Sequence, residues 1–336
     1  MNRKENIWFG TVIVLLLAVA LTMGWLGWKT APDAVQPHDI SLAQGTLCFT
    51  TPGSEVRGKL VDDIAGAHTS VLVECYLISD PAVVEALQTA KLHGCDVRVI
   101  MEENPFGGFS MNSSVRNQLR SAGVDAVWGN RSYAFTHAKF VVVDEHIAWL
   151  MTANLTKSAF DKNREILVRT PDEALIDSLV RVFWADRRRG TCPSGVLVLG
   201  PVNSRQALLS FLGSAQRTID VVSEVFDDDQ VAQVLKNLSR QGVSVRILVA
   251  SPDEIAANWA LRSWMSGTRV EVRYLETPYL HAKYLLVDGQ VAYVGSANLS
   301  TGSLDDNREV GIVTSSPEVV PILRRTFDTD WSEGTS

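Results

Sequence analysis

The sequence is short of cysteine, carries fewer basic than acidic residues and, beyond residue 28, has no long apolar run. Four cysteines in 336 residues, Cys48, Cys75, Cys95 and Cys192, are too few for a disulfide scaffold, and no CxxC or Cys/His spacing suggests a zinc site. Cys75 lies in an apolar strand pattern and reads as a small core residue. Cys48 and Cys192 lie in irregular segments, where spacing leaves a bridge open without assigning one. Lys and Arg number 31 against 38 Asp and Glu, and the acidic excess is present in both halves: 16 basic and 18 acidic residues in 46–190, then 12 and 17 in 191–336. Such a chain lacks the positive field of a protein that coats nucleic acid. At 46% hydrophobic and 21% charged residues it is neither disordered nor fibrous, and its length suits one large or two ordinary domains.

The long apolar run stands at the start. Residues Ile7 to Trp28 contain no charge and measure about 33 Å at the helical rise, enough to cross a bilayer. Arg3 and Lys4 precede the run and Lys29 follows it, so residues 1–6 read as a cytoplasmic tail, 7–28 as a transmembrane anchor, and the remainder as facing outward. Residues 29–45, with two prolines and no periodicity, read as a linker. The rival reading is a signal peptide cleaved near Ala31 and Ala34, which would make the protein secreted.

The rest of the chain is one unit used twice. The 29 residues from His137 align without gaps to the 29 from His281, with 13 identities at a constant offset of 144. Upstream, residues 70–101 parallel residues 218–249, each reading as strand, helix, glycine stop, strand. In the first copy Asp80 is a helix N-cap, Pro81 the first helical residue and Gly94 the stop. These are βαβ units with parallel strands and a covering helix. A repeat of this length is domain-sized, so the spacing predicts two similar α/β domains, 46–190 and 191–336, related by a pseudo-two-fold axis.

His137, Lys139 and Asp144 recur as His281, Lys283 and Asp288, followed at fixed distance by Asn154 and Asn298, then by Glu165 and Glu309. Histidine and lysine two apart on a strand leave the same face. Together they suit an anion, since an imidazole can attack or donate a proton while an ammonium holds negative oxygens. A lone HxK is usually structural; two copies with Asn and Glu at equal offsets are not a coincidence of packing.

These residues resemble the phospholipase D superfamily, whose signature is HxK, four residues, Asp, six residues, GSxN. The second copy matches in full, including Ser296; in the first, Met151 and Thr152 replace Gly and Ser. The resemblance spans about 46–331 and implies two α/β/α sandwich halves whose motifs meet at their interface. It further implies an in-line phosphodiester displacement in which His137 attacks to form a phosphohistidine and His281 protonates the leaving alcohol, with the order open by symmetry. Lys139, Lys283, Asn154, Asn298, Thr152 and Ser296 would hold phosphate oxygens. Glu165 and Glu309 would orient the imidazoles, and Asp144 and Asp288 would support strand ends. Met151 is expected to alter the pocket's shape. No metal or cofactor is expected, and with both motifs in one chain no oligomer is needed to complete the site.

Other candidates carry less. His38, His68 and His93 read as solvent-facing, His146 as a hairpin-turn residue without a counterpart at offset 144, where Gln290 sits, and Asp227, Asp228 and Asp229 as the acidic start of a helix. Membrane tethering points to phospholipid as substrate, with aromatic segments at 104–111, 132–136 and 276–280 as an entrance for acyl chains or headgroup. An exported endonuclease of the same superfamily and an inactive lipid- or protein-binding scaffold are the alternatives.

Overall fold

The computed structural model describes residues 38–106 and 111–335. The tail, the anchor at 7–28 and most of the linker lie outside the described residues. Among those described, no helix is long and apolar enough to cross a membrane.

The first half runs β1 (Asp39–Ile40), β2 (Leu47–Thr51), α1 (Ser54–Ala65), β3 (Ser70–Cys75), α2 (Pro81–Leu92), β4 (Asp96–Met101), α3 (Met111–Ser121), β5 (Asp125–Trp128), β6 (Lys139–Val143), β7 (Ile147–Met151), α4 (Lys157–Asp161), β8 (Asn163–Thr170) and α5 (Glu173–Arg187). The second half follows the same order: β9 (Val198–Leu199), α6 (Ser204–Gly213), β10 (Thr218–Ser223), α7 (Asp229–Arg240), β11 (Ser244–Ala250), a 3₁₀ turn (Ala256–Ala260), α8 (Leu261–Met265), β12 (Glu271–Leu275), β13 (Tyr279–Leu280), β14 (Tyr284–Val287), β15 (Val291–Gly295), α9 (Thr301–Asp305), β16 (Val310–Thr314) and α10 (Val320–Glu333).

Each half forms a mixed sheet. Strands β3, β4 and β5 are parallel, whereas β6, β7 and β8 add antiparallel neighbours on the other side of β3; β10, β11, β12 and β14, β15, β16 repeat this pattern. The expected βαβ units are present with their caps. Asp80 accepts from the backbone N–H of Ala82 at 3.0 Å and Val83 at 3.3 Å, with Pro81 opening α2 and Gly94 following at φ +93°. Asp228 caps α7, accepting from Val231 at 3.0 Å and pairing with Arg205, which accounts for the acidic run without a cation.

Period-two alternation sends one face of each sheet inward and one outward. Outer-face Val71, Val73, Val141 and Val143 pack under α1 and α2, and Ile219, Val221, Leu285 and Val287 pack under α6 and α7. Inner-face Leu72, Phe140 and Val142, with Leu179 and Phe183 of α5, belong to the same apolar cluster as Val222, Leu286, Leu323 and Phe327 from the second half. The halves therefore share one core. They also exchange strands: β13 pairs with β8 in the first sheet, and β1 pairs with β16 in the second. Two ion pairs repeat the exchange, half-buried Arg164 of the first half reaching buried Asp330 of α10 at 2.8 Å and buried Arg308 of the second reaching Asp186 of α5 at 2.8 Å. All four cysteines are free thiols.

Candidate active site

The two histidines stand just before their strands, on extended segments that pair across the halves. The His137 N–H donates to the Arg308 carbonyl at 2.9 Å, and the His281 N–H to the Arg164 carbonyl at 3.1 Å. Since a signature glutamate follows each arginine, the backbone pairing carries each glutamate to the other half's histidine. His137 Nδ1 lies 2.8 Å from Glu309 Oε1, and His281 Nδ1 lies 2.7 Å from Glu165 Oε1, the latter close but poorly aligned for a hydrogen bond. The crossing could not be read from spacing, because each Glu stands 28 residues after its own half's histidine and nothing in that offset points to the other half.

Burial pushes His137 down to about 4, with Glu309 opposing and the Lys139 ammonium assisting. Lys139 is wholly buried; its Nζ donates to the His137 carbonyl at 2.5 Å and lies 5.4 Å from the centre of the Tyr76 ring. Burial lowers this ammonium to about 8, and the charge of Lys283 adds to the effect. The Lys283 charge also acts on His137, so the two signature sets lie within electrostatic reach of one another. Tyr76 packs edge-on against His137, ring centres 4.8 Å apart.

The second set has a different neighbour. At the position equivalent to Tyr76 the chain carries Glu224, whose Oε2 is 2.9 Å from Lys283 Nζ and 3.5 Å from His281 Nε2. Tyr279 donates to its Oε1 at 2.6 Å. Although burial works the other way, the His281 ring, the Lys283 ammonium and the Tyr279 hydroxyl hold Glu224 well below the usual carboxylate range. Asn298 Nδ2 is 3.4 Å from Glu224 Oε2, while its Oδ1 accepts from the Val225 N–H at 3.2 Å. Asn154 is buried, and its Oδ1 has no partner. A cavity of about 450 Å³ opens here between the halves, lined by Ser79, Asn154, Thr156 and Ser158 from the first and Glu224, Tyr279 and His281 from the second. Sequence reasoning missed Glu224 and Tyr76; a charge ending the apolar run TIDVVSE was the available signal.

Thr152 and Ser296, expected at the phosphate, are fully buried. Thr152 Oγ1 donates to Glu165 Oε2 at 2.6 Å and accepts from the Ile166 N–H at 2.9 Å. Ser296 Oγ accepts from the Val310 N–H at 2.9 Å and donates to the Val310 carbonyl at 3.3 Å. Both hydroxyls thus brace the adjacent strand instead of reaching the cavity. Met151, expected to alter the pocket, packs in the cluster behind the sheet with Trp149 and Leu167. The second half fills the same place differently: a Cβ on Gly295 would stand 2.5 Å from the Gly311 Cα and 2.6 Å from the Tyr293 hydroxyl. The departure from Gly-Ser is an exchange of packing partners behind the sheet.

Asp144 and Asp288 sit at φ 54° and 53° in the turns that close the β6–β7 and β14–β15 hairpins. Asp144 accepts from the N–H groups of His68 at 2.9 Å, Thr69 at 2.7 Å and Ser70 at 2.9 Å. Asp288 does the same for Gln216 at 3.0 Å, Arg217 at 2.7 Å and Thr218 at 2.9 Å. Partial burial opposes ionisation of Asp144, but these amides together hold it at about 2. His38, His68, His93 and His146 are exposed.

Residues 60–187 and 208–331 each match the family described as cardiolipin synthase, PLD-like domain. The chain belongs to the phospholipase D-like family. It is similar to a cardiolipin synthase of Geobacillus kaustophilus, 24% identical over 342 residues covering 88% of this chain and 67% of that relative, so it spans about two thirds of the relative's length. Over 143 residues, 42% of this chain and 56% of the other, it is 29% identical to the human mitochondrial cardiolipin hydrolase. In fold it is similar to the phosphatidylserine synthase of Haemophilus influenzae, with a TM-score of 0.67 at 13% identity over 90% of this chain and 89% of the other.

Proposed function

We propose that the protein is a phospholipase D-type phosphodiesterase that transfers or hydrolyses the phosphodiester of a membrane phospholipid. The observation that carries this reading is the crossed pair of histidine–carboxylate contacts, with a lysine beside each histidine, around a cleft that both halves build. In-line displacement needs an attacking group and a proton donor on opposite sides of phosphorus, which one histidine cannot supply. His137 is the nucleophile: burial keeps it neutral, and Glu309 at Nδ1 leaves Nε2 to attack. The P–N bond forms as the P–O bond to the leaving alcohol breaks, and His281 gives that oxygen a proton. His281 then takes the proton of an incoming alcohol or water, whose oxygen bonds to phosphorus as the P–N bond to His137 breaks. Lys139, Lys283, Asn154 and Asn298 hold the non-bridging oxygens.

Lipid is the substrate class supported by the names of the relatives and by two exposed aromatics beside the site. Phe106 is 85% exposed, and its N–H donates to the Tyr76 hydroxyl; Trp259 is 65% exposed and follows Asn258, which donates to the Glu224 carbonyl. Segment 7–28 is the anchor that holds repeats 46–190 and 191–336 at the outer face of the membrane.

His137→Ala and His281→Ala are each expected to lower turnover of vesicle phospholipid by a thousandfold or more while the far-ultraviolet circular dichroism stays unchanged. Either single variant retaining near-wild-type rates would overturn the two-histidine reading.

A further inference from the structure

Three nitrogens assigned above to the reacting phosphodiester in the second half, His281 Nε2 as proton donor and Lys283 Nζ and Asn298 Nδ2 as oxygen holders, all face one oxygen of Glu224, at 3.5, 2.9 and 3.4 Å. The equivalent place in the first half holds the uncharged Tyr76 ring, and Asn154 keeps a buried oxygen without a partner. Lys139 and Lys283 offset Glu165 and Glu309, so Glu224 is the carboxylate of the cleft left without a lysine of its own, and it faces the proton that His281 carries as the acid. Its side chain is 13% exposed, and water screens it only in part.

We propose that Glu224 is a specificity-determining charge: it admits the monoanionic phosphate of a diester and turns away the dianionic phosphate of a monoester. The proposal rests on the reading of this cleft as a phosphodiester site. A phosphate oxygen bound to Lys283 and Asn298 must sit within about 5 Å of the Glu224 carboxylate. At an effective dielectric constant of about 20, each added unit of negative charge at that distance weakens binding by roughly a hundredfold, and residual screening leaves about tenfold as the floor. The same charge favours departure of the phosphomonoester lipid that hydrolysis produces, which keeps the cleft clear for a second diester.

Methyl phosphate and dimethyl phosphate differ by one methyl group and, at about pH 8, by one charge. Their dissociation constants are to be measured by phosphorus NMR titration of the full chain in detergent, which requires no turnover. The wild type is expected to bind dimethyl phosphate more tightly. Glu224→Gln is expected to raise the affinity for dimethyl phosphate by about tenfold and that for methyl phosphate by about a hundredfold, so that their ratio shifts about tenfold. Should the Gln variant fail to fold, Glu224→Tyr, which installs the residue found at the equivalent place in the first half, is expected to shift the ratio in the same direction. An unchanged ratio, or equal tightening of both probes, overturns the charge discrimination. A shifted ratio in a protein that turns over no phosphodiester upholds it and overturns the proposed reaction, whereas a wild type that binds neither probe overturns both.

Discussion

His137 and His281 are equivalent in the sequence and unequal in place. Burial holds His137 at about 4 against an ordinary value of 6.5, whereas His281 has a carboxylate against each ring nitrogen, Glu165 at Nδ1 and Glu224 at Nε2. If neutral His137 attacks, the acid limb of kcat/KM is expected near pH 4 instead of near 6.5. Glu309→Gln removes the charge that opposes burial, so the limb moves to lower pH, and the rate falls by about 10²–10⁴-fold as the ring loses its orienting partner. A wild-type limb at about 6.5 would remove His137 as the titrating nucleophile. The sign for stability follows: the unfolded chain takes up a proton between pH 6.5 and 4 that folded His137 refuses, so stability falls as pH drops through that window.

Strands β3 and β10 have the same role, yet their inner faces differ at one place. Where β10 presents Val222, β3 presents Glu74, which is wholly buried with no hydrogen-bond partner on either oxygen. Burial first, and then the neighbouring Asp186 carboxylate, raise Glu74 well above the carboxylate range, so it is held protonated. An acid whose folded value is raised contributes stability below its unfolded value of 4.5 and loses it as pH rises. Glu74→Val, copying the other half, is therefore expected to stabilise the protein by about 1–3 kcal/mol at pH 8 and by less at pH 4. Thermal melting at the two pH values checks this. A lower midpoint at both would mean that the Asp186–Arg308 pair depends on the Glu74 carboxyl. Strand β3 itself was legible from its apolar run, caps and repeat; the surroundings of Glu74 were not, because they come from α5 and from the loop before β16.

Two similar halves suggest two folding units, but the packing argues for one. The inner faces of both sheets, α5 and α10 form a single apolar cluster, and strands, arginines and glutamates all cross between the halves. Neither half can bury its inner face or complete its histidine–carboxylate contact alone. Calorimetric unfolding is expected to show one transition whose measured enthalpy equals the van't Hoff enthalpy. Arg308→Ala, which leaves Asp186 buried without its charge partner, is expected to lower that single midpoint instead of splitting it. Two resolved transitions would show that each half keeps a core of its own.

The repeat, the α/β class and the His, Lys, Asn and Glu sets were all readable in one dimension, since periodicity, caps and a constant offset are local properties of the chain. The pairing of each histidine with the other half's glutamate, the burial of Thr152, Ser296 and Met151 away from the cleft, and the place of Glu224 on Lys283 were decided by folding. A pseudo-two-fold repeat offers each histidine two candidate glutamates, one in its own half and one in the other, and the repeat itself does not choose between them. They are separated only by the crossed backbone pairing of the Arg164 and Arg308 segments, which sets residues more than a hundred positions apart within hydrogen-bonding distance.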